Sequence, residues 1–292
     1  MLPYVWLSLA IVWLWLPPQV SAVSVISRVR VSAGWLLLAV GHAYWTRIIN
    51  PSAVVAIVLF GLLCYGYAHR TRSLWIDSLT TIATILYCLA FMAHVVPGFS
   101  NLLVSRDVVL SPGALPYTLF LNFDKAQIGL FLTAIGPPLI ASRGEWSNML
   151  KAALPRLLVV IGVVMVCAVS IGQVRFDLKW PAFFPMWAWA NLLFTCAAEE
   201  ALFRGVIQRR LQGPSSWTGE TNPRGVAGFL VAGAVFGAAH YAGGMSAIVV
   251  AMIAGIGYGW IYWSTNRIEA SILAHFLLNT IHILLFTYPA RA

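Results

Sequence analysis

Three short polar motifs lie inside long apolar runs of this chain. They are Glu199-Glu200-Ala201-Leu202-Phe203-Arg204, Phe236-Gly237-Ala238-Ala239-His240 and His275-Phe276-Leu277-Leu278-Asn279. Charged and titratable side chains in hydrocarbon-length segments are costly, so their presence marks function. Two carboxylates, two imidazoles, a guanidinium and an amide make the inventory of a hydrolytic centre.

Adjacent residues on a helix point about 100° apart, so Glu199 and Glu200 cannot share one role. Glu200 and Arg204 stand four apart on one face, the spacing of an ion pair that neutralises one carboxylate and anchors the helix. That leaves Glu199 free to face a cavity, and a histidine within reach would complete a general base. Phe236 and His240 share the same four-residue spacing, so the phenyl ring can pack under the imidazole and fix it. Gly233 and Gly237 allow a neighbouring helix to come close. His275 and Asn279 also share a face, and both donate hydrogen bonds of the kind that stabilise an oxyanion. Taken singly, His240 reads as a satisfied core histidine and Asn279 as an interhelical hydrogen bond. His282 follows on the face of His275 and Asn279 as a supporting residue with no visible partner, and His42, His69 and His94 read as structural or interfacial.

The elements that must position these groups are membrane helices. The 292 residues are 60% hydrophobic and 9% charged, with a mean hydropathy of +0.83. Soluble domains carry far more charge. The net charge of +9 sits mostly in short loops, where it signals topology and not nucleic acid. Apolar runs near 3–22, 31–49, 53–68, 76–97, 126–141, 157–174, 183–208, 226–242, 247–263 and 269–287 predict an all-α polytopic transmembrane bundle of eight to ten spans. Gly41-His42 interrupts the second run, and Pro137-Pro138 marks the fifth as short. Alternate loops hold eleven basic residues against six, which puts both termini outside. The first run reads as a retained anchor. The loop 98–125 divides the chain into an N-terminal region, 1–125, and a core, 126–292, that holds every motif. Cys64, Cys88, Cys167 and Cys196 lie in apolar runs without CxxC spacing, so they read as small hydrophobes.

Depth permits the polar groups to meet. At 1.5 Å per residue, Glu199 lies about 14 Å, His240 about 21 Å, His275 about 10 Å and Asn279 about 16 Å from the cytoplasmic helix ends. All fall in the middle band of a hydrocarbon core about 30 Å thick.

The ordered set, EExxxR then FxxxH then HxxxN, closely resembles the CPBP family of intramembrane proteases, which includes the CAAX prenyl endopeptidases and many bacterial members. The resemblance covers roughly residues 183–287. It implies a glutamic-type protease needing no cofactor, in which Glu199 and His240 activate the attacking water and His275 and Asn279 form the oxyanion hole. Glu200 and Arg204 would support the site. It also implies a multi-pass protein of a bacterial cytoplasmic membrane, with the lipid bilayer and a membrane-associated protein as partners. The stretch Leu121-Asn122-Phe123-Asp124-Lys125 resembles a segment of bacterial members that accompany C-terminal sorting-tag systems. That implies a tagged, membrane-anchored substrate and not a prenylated one.

Three other readings compete. Glu199, His240 and His275 would make a two-histidine, one-carboxylate zinc site, although no HExxH is present. A non-catalytic scaffold or immunity protein would keep the fold without turnover. A transporter would need polar groups spread along a pathway, and the front spans offer almost none.

Overall fold

The computed structural model describes residues 1–16, 25–69, 71, 73–213 and 223–292. The end of the expected first span, 17–22, and the loop residues Arg70 and Arg72 lie outside the described residues. The protein is all-α: 73% of it is helical, with almost no sheet. Among the described residues, five helical segments are long and apolar enough to cross a membrane: Pro51–Ala68, Leu74–Met92, Arg143–Ser170, Tyr241–Thr265 and Ile268–Leu285. Leu2–Trp15 and Pro223–Ala238 are shorter apolar helices.

Two compact units make up the chain. The first comprises Met1–Leu102, Leu121–Arg143 and Leu193–Val206. Its helices are α1 (Leu2–Trp15), α2 (Val25–Trp45), α3 (Pro51–Ala68), α4 (Leu74–Met92) and α5 (Phe123–Ile135). The middle of a broken helix adds α8 (Ala197–Leu202). α5 packs on α1, α3, α4 and α8. A helix enclosed on all sides needs apolar or small residues all round, and α5 buries Phe123, Ala126, Ile128, Gly129, Leu130 and Leu132. Phe60, Phe91 and Phe131 meet edge to face around it. Gly136 and the two prolines after it end the helix, so the expected run 126–141 becomes a short element inside this unit. Asn50 caps α3 by accepting from Ser52 and Ala53, and Gly98 at φ +95° lies against that cap, where a Cβ would meet Asn50 Oδ1 at 2.3 Å. His42 accepts from Trp6 Nε1 and His69 stacks on Tyr65, so both are structural.

The second unit comprises Leu103–Phe120, Gly144–Leu192 and Ile207–Ala292. It contains α6 (Arg143–Ser170), α7 (Phe184–Ala190), α9 (Arg209–Gln212), α10 (Pro223–Ala238), α11 (Gly244–Thr265) and α12 (Ile268–Leu285). The 98–125 loop holds a two-stranded sheet that the sequence did not announce, β1 (Leu102–Val108) paired with β2 (Tyr117–Leu121). Thr118 Oγ1 closes it by donating to Asp107 Oδ1 at 3.0 Å. Aromatic residues Tyr117, Phe183, Phe184 and Tyr288 pack around buried Leu119, Trp187 and Ile283. The chain end is tied down by backbone bonds from Thr287 to Arg175 and from Arg291 to Gln173.

Candidate active site

The first motif sits on an irregular helix. π-helical turns at Asn191–Cys196 and Phe203–Gln208 bracket α8, and such bulges gather at functional sites because they re-aim side chains. α8 carries both glutamates, each buried. Arg204 Nη1 lies 3.0 Å from Glu200 Oε1, with both side chains fully enclosed. In surroundings of low dielectric the pair removes the charge each residue would otherwise leave exposed to hydrocarbon.

Glu199 is held by an ion pair, where the spacing had left it free to face a cavity. Lys125 Nζ donates to its Oε1 at 2.6 Å, with only 12% and 8% of the two side chains exposed. The lysine comes from the first turn of α5. Beside it, Asp124 is 1% exposed and accepts from Asn101 Nδ2 at 3.0 Å. Asp124 also lies 2.7 Å from His94 Nδ1. His94, read as structural or interfacial in the sequence, thus anchors the buried Asp124 next to Lys125.

The second and third motifs belong to the other unit. α10 ends at Ala238, before the expected end of the 226–242 run. His240 lies past it in an exposed turn, bounded by Gly243 and by Gly244 at φ +80°. A glycine pair lets the chain reverse there into α11. His240 Nδ1 lies 2.8 Å from the carbonyl oxygen of Phe236. A carbonyl only accepts, so Nδ1 carries the hydrogen and Nε2 of the neutral ring keeps its lone pair. The Phe236 ring lies 4.8 Å from the imidazole and 5.6 Å, edge on, from that of His275. Gly237 makes room for this corner, since a Cβ there would stand 2.8 Å from the carbonyl oxygen of Ile248 on α11.

His275 is buried on α12 and stacks on Tyr258, at 4.8 Å between centroids and 19° between planes. Asn279, one turn further, donates through Nδ2 to Asn191 Oδ1 at 3.3 Å. An amide nitrogen carries two hydrogens, so this contact orients the group without exhausting it. His282 has a partner after all: its Nε2 lies 3.1 Å from the carbonyl oxygen of Thr287, and its ring packs on Tyr288. It secures the turn after α12.

Among the described residues, no group of three or more His, Cys, Asp or Glu side chains is placed to hold a metal ion. The alternative zinc set of Glu199, His240 and His275 gains no support from that.

Residues 181–281 match the Rce1-like family, type II CAAX prenyl endopeptidase Rce1-like. That match supports the CPBP family of CAAX-type membrane proteases for this segment of the chain. All three motifs fall within the matched residues. No curated protein and no solved structure matches the chain. The protease is an integral membrane protein and a hydrolase of peptide bonds, with a protein in a membrane as its substrate.

Sequence reasoning missed three residues that the protease sets beside its motif side chains. Lys125 was legible as the last residue of the Leu121–Lys125 stretch, but its pairing with Glu199 was not, because the two lie 74 residues apart. Asn191 is remote from Asn279 in the same way, by 88 residues. Tyr258, buried to 1% exposure, sits in the glycine-rich run Gly255-Ile256-Gly257-Tyr258-Gly259. There the lone large ring among small residues was the available signal.

Proposed function

We propose that this protease is a glutamic-type intramembrane endopeptidase that cuts a peptide bond near the end of a membrane-associated protein. Glu199, acting with His240, takes a proton from a water molecule whose oxygen adds to the scissile carbonyl carbon. His275 and Asn279 donate hydrogen bonds to the oxyanion that forms. Collapse of the tetrahedral intermediate breaks the C–N bond, and the abstracted proton leaves with the amine. Glu200 and Arg204 hold α8 and stay outside the proton transfers.

What carries this reading is the single family match over 181–281 that takes in all three motifs in order. The hydrogen bond from His240 Nδ1 to Phe236 agrees with it, because it leaves Nε2 able to accept a proton. The likeness of Leu121–Lys125 to tag-associated bacterial members favours a tagged, membrane-anchored substrate in a bacterial cytoplasmic membrane.

The test compares protein termini in cells making wild type or Glu199→Gln at matched levels. Termini that appear with wild type and vanish with the variant are the expected result. Identical termini, with both proteins folded in the membrane, would sink the reading and leave the scaffold in its place.

A further inference from the structure

Lys125 is the least expected charge in the first unit. It is 74 residues from Glu199 in sequence, yet its ammonium lies 2.6 Å from Oε1. Three features of the fold bring it there. First, α5 and α8 approach closely because Gly129, one turn beyond Lys125 on the same face, has no side chain. A Cβ on Gly129 would stand 3.2 Å from Ala198 N and 3.4 Å from the carbonyl carbon of Ala197. Second, the start of α5 is fixed. Asn101 Oδ1 accepts from Phe123 N at 2.8 Å, and Asp124 Oδ1 accepts from Lys125 N at 2.8 Å. Third, Asp124 is itself held by Asn101 and His94, so the backbone that carries Lys125 has little freedom.

The neighbouring charges are already matched. Glu200 is paired with Arg204, and Asp124 with His94 when that imidazole is protonated. The ammonium of Lys125 is placed directly against the Glu199 carboxylate. A buried carboxylate without a cation nearby takes up a proton and loses its capacity as a base.

Resting on the assignment of Glu199 as the proton acceptor, we propose that Lys125 is a positioning residue for the reaction. Its ammonium keeps the Glu199 carboxylate ionised and pointed while α5 and α8 hold the two side chains in register. Lys125 touches neither water nor substrate in this role. It acts through Glu199 alone.

The experiment uses isolated membranes from cells making the full chain, incubated across a pH series, with the proteins of those same membranes as substrates and new termini as the readout. Lys125→Met is expected to lose at least about tenfold of wild-type cleavage at pH 7. The loss should shrink as the pH is raised and the carboxyl ionises without help. Lys125→Arg, which keeps a cation, should retain most of the cleavage with the wild-type pH profile. Four results are decisive against the proposal. They are Lys125→Met cleaving as wild type, Lys125→Met losing activity equally at every pH, Lys125→Met cleaving faster than wild type, or a folded Lys125→Arg protein that is inactive. The third would make the ion pair a lock on Glu199. Glu199→Gln runs alongside, and if it cleaves as wild type the assignment of Glu199 falls instead. An inactive Glu199→Gln with an unaltered Lys125→Met removes only the role of Lys125.

Discussion

The ring of Tyr258 lies flat against that of His275, 4.8 Å between centroids and 19° between planes. Phe236 closes the corner edge on to both, at 6.0 Å from Tyr258 and 5.6 Å from His275. Such aromatic contacts are worth about 0.5–1.5 kcal/mol each beyond burial, and they fix the direction of a ring more than they fix its position. An oxyanion donor works only when its N–H points at the place where charge develops.

We therefore predict that Tyr258→Leu, which keeps an apolar side chain but removes the flat face, lowers cleavage by about tenfold to a hundredfold. Thermal stability in detergent should fall by about 2–4 kcal/mol, the scale of a large-to-small change in a core. Tyr258→Phe preserves the stack and should remain close to wild type. Equal cleavage by Tyr258→Leu and wild type would show that the stack does not orient His275.

The Glu200–Arg204 pair supports a second prediction. Both side chains are fully buried, with 3.0 Å between Oε1 and Nη1. Glu200→Gln leaves a guanidinium in a dry interior without its counter-charge, a loss of about 3–5 kcal/mol. Stability and activity should drop together. Replacing both residues, Glu200→Gln with Arg204→Met, should regain much of the melting temperature because the stranded charge is gone. A Glu200→Gln protein with the melting temperature of wild type contradicts this account.

How far the sequence reached follows from which interactions are local. The four-residue pairs Glu200–Arg204 and Phe236–His240 are written in helical periodicity, and both are in contact in the structure. Long apolar runs at 53–68, 76–97, 157–174, 247–263 and 269–287 correspond to the five helical segments able to cross a membrane among the described residues. Partners distant along the chain were out of reach. No periodicity connects Lys125 to Glu199 or Asn191 to Asn279, because helix packing makes those contacts and not helix geometry. The β1–β2 pair was missed for a different reason. Its strands are short, and β1 shows no clean alternation of buried and exposed positions. The end of α10 was misplaced because hydropathy continues smoothly through Ala238-Ala239-His240-Tyr241, while the backbone turns at the glycines that follow.

The contact between His240 and Phe236 separates holding from chemistry. Asparagine places its amide N–H near the position of Nδ1 but has no counterpart of Nε2. His240→Asn should therefore keep the 2.8 Å bond to the Phe236 carbonyl and a melting temperature near that of wild type. Its cleavage should fall by about a hundredfold or more, the scale of losing a general acid–base group. A His240→Asn protein that cleaves normally would remove Nε2 from the mechanism, whatever its stability.

The segment before α7 makes a prediction about pH. The hydrogen bond from Ser111 holds the Asp177 carboxyl below its ordinary value, helped by Lys179, whose Nζ lies 3.2 Å from Oδ2. A carboxyl that is a stronger acid folded than unfolded stabilises the fold above its unfolded value. That contribution is lost as the pH falls through the lower, folded value. Wild type should thus lose melting temperature on acidification below about pH 4, the ordinary range for aspartate. Asp177→Asn should melt lower than wild type at pH 7, and the gap should close in acid. The same segment bonds to the chain end, with Asp177 N donating to the Leu285 carbonyl, so loosening it would also loosen the turn after α12 that His282 secures. A gap in melting temperature that stays constant from pH 7 down to pH 3 would exclude the charge of Asp177 as its source.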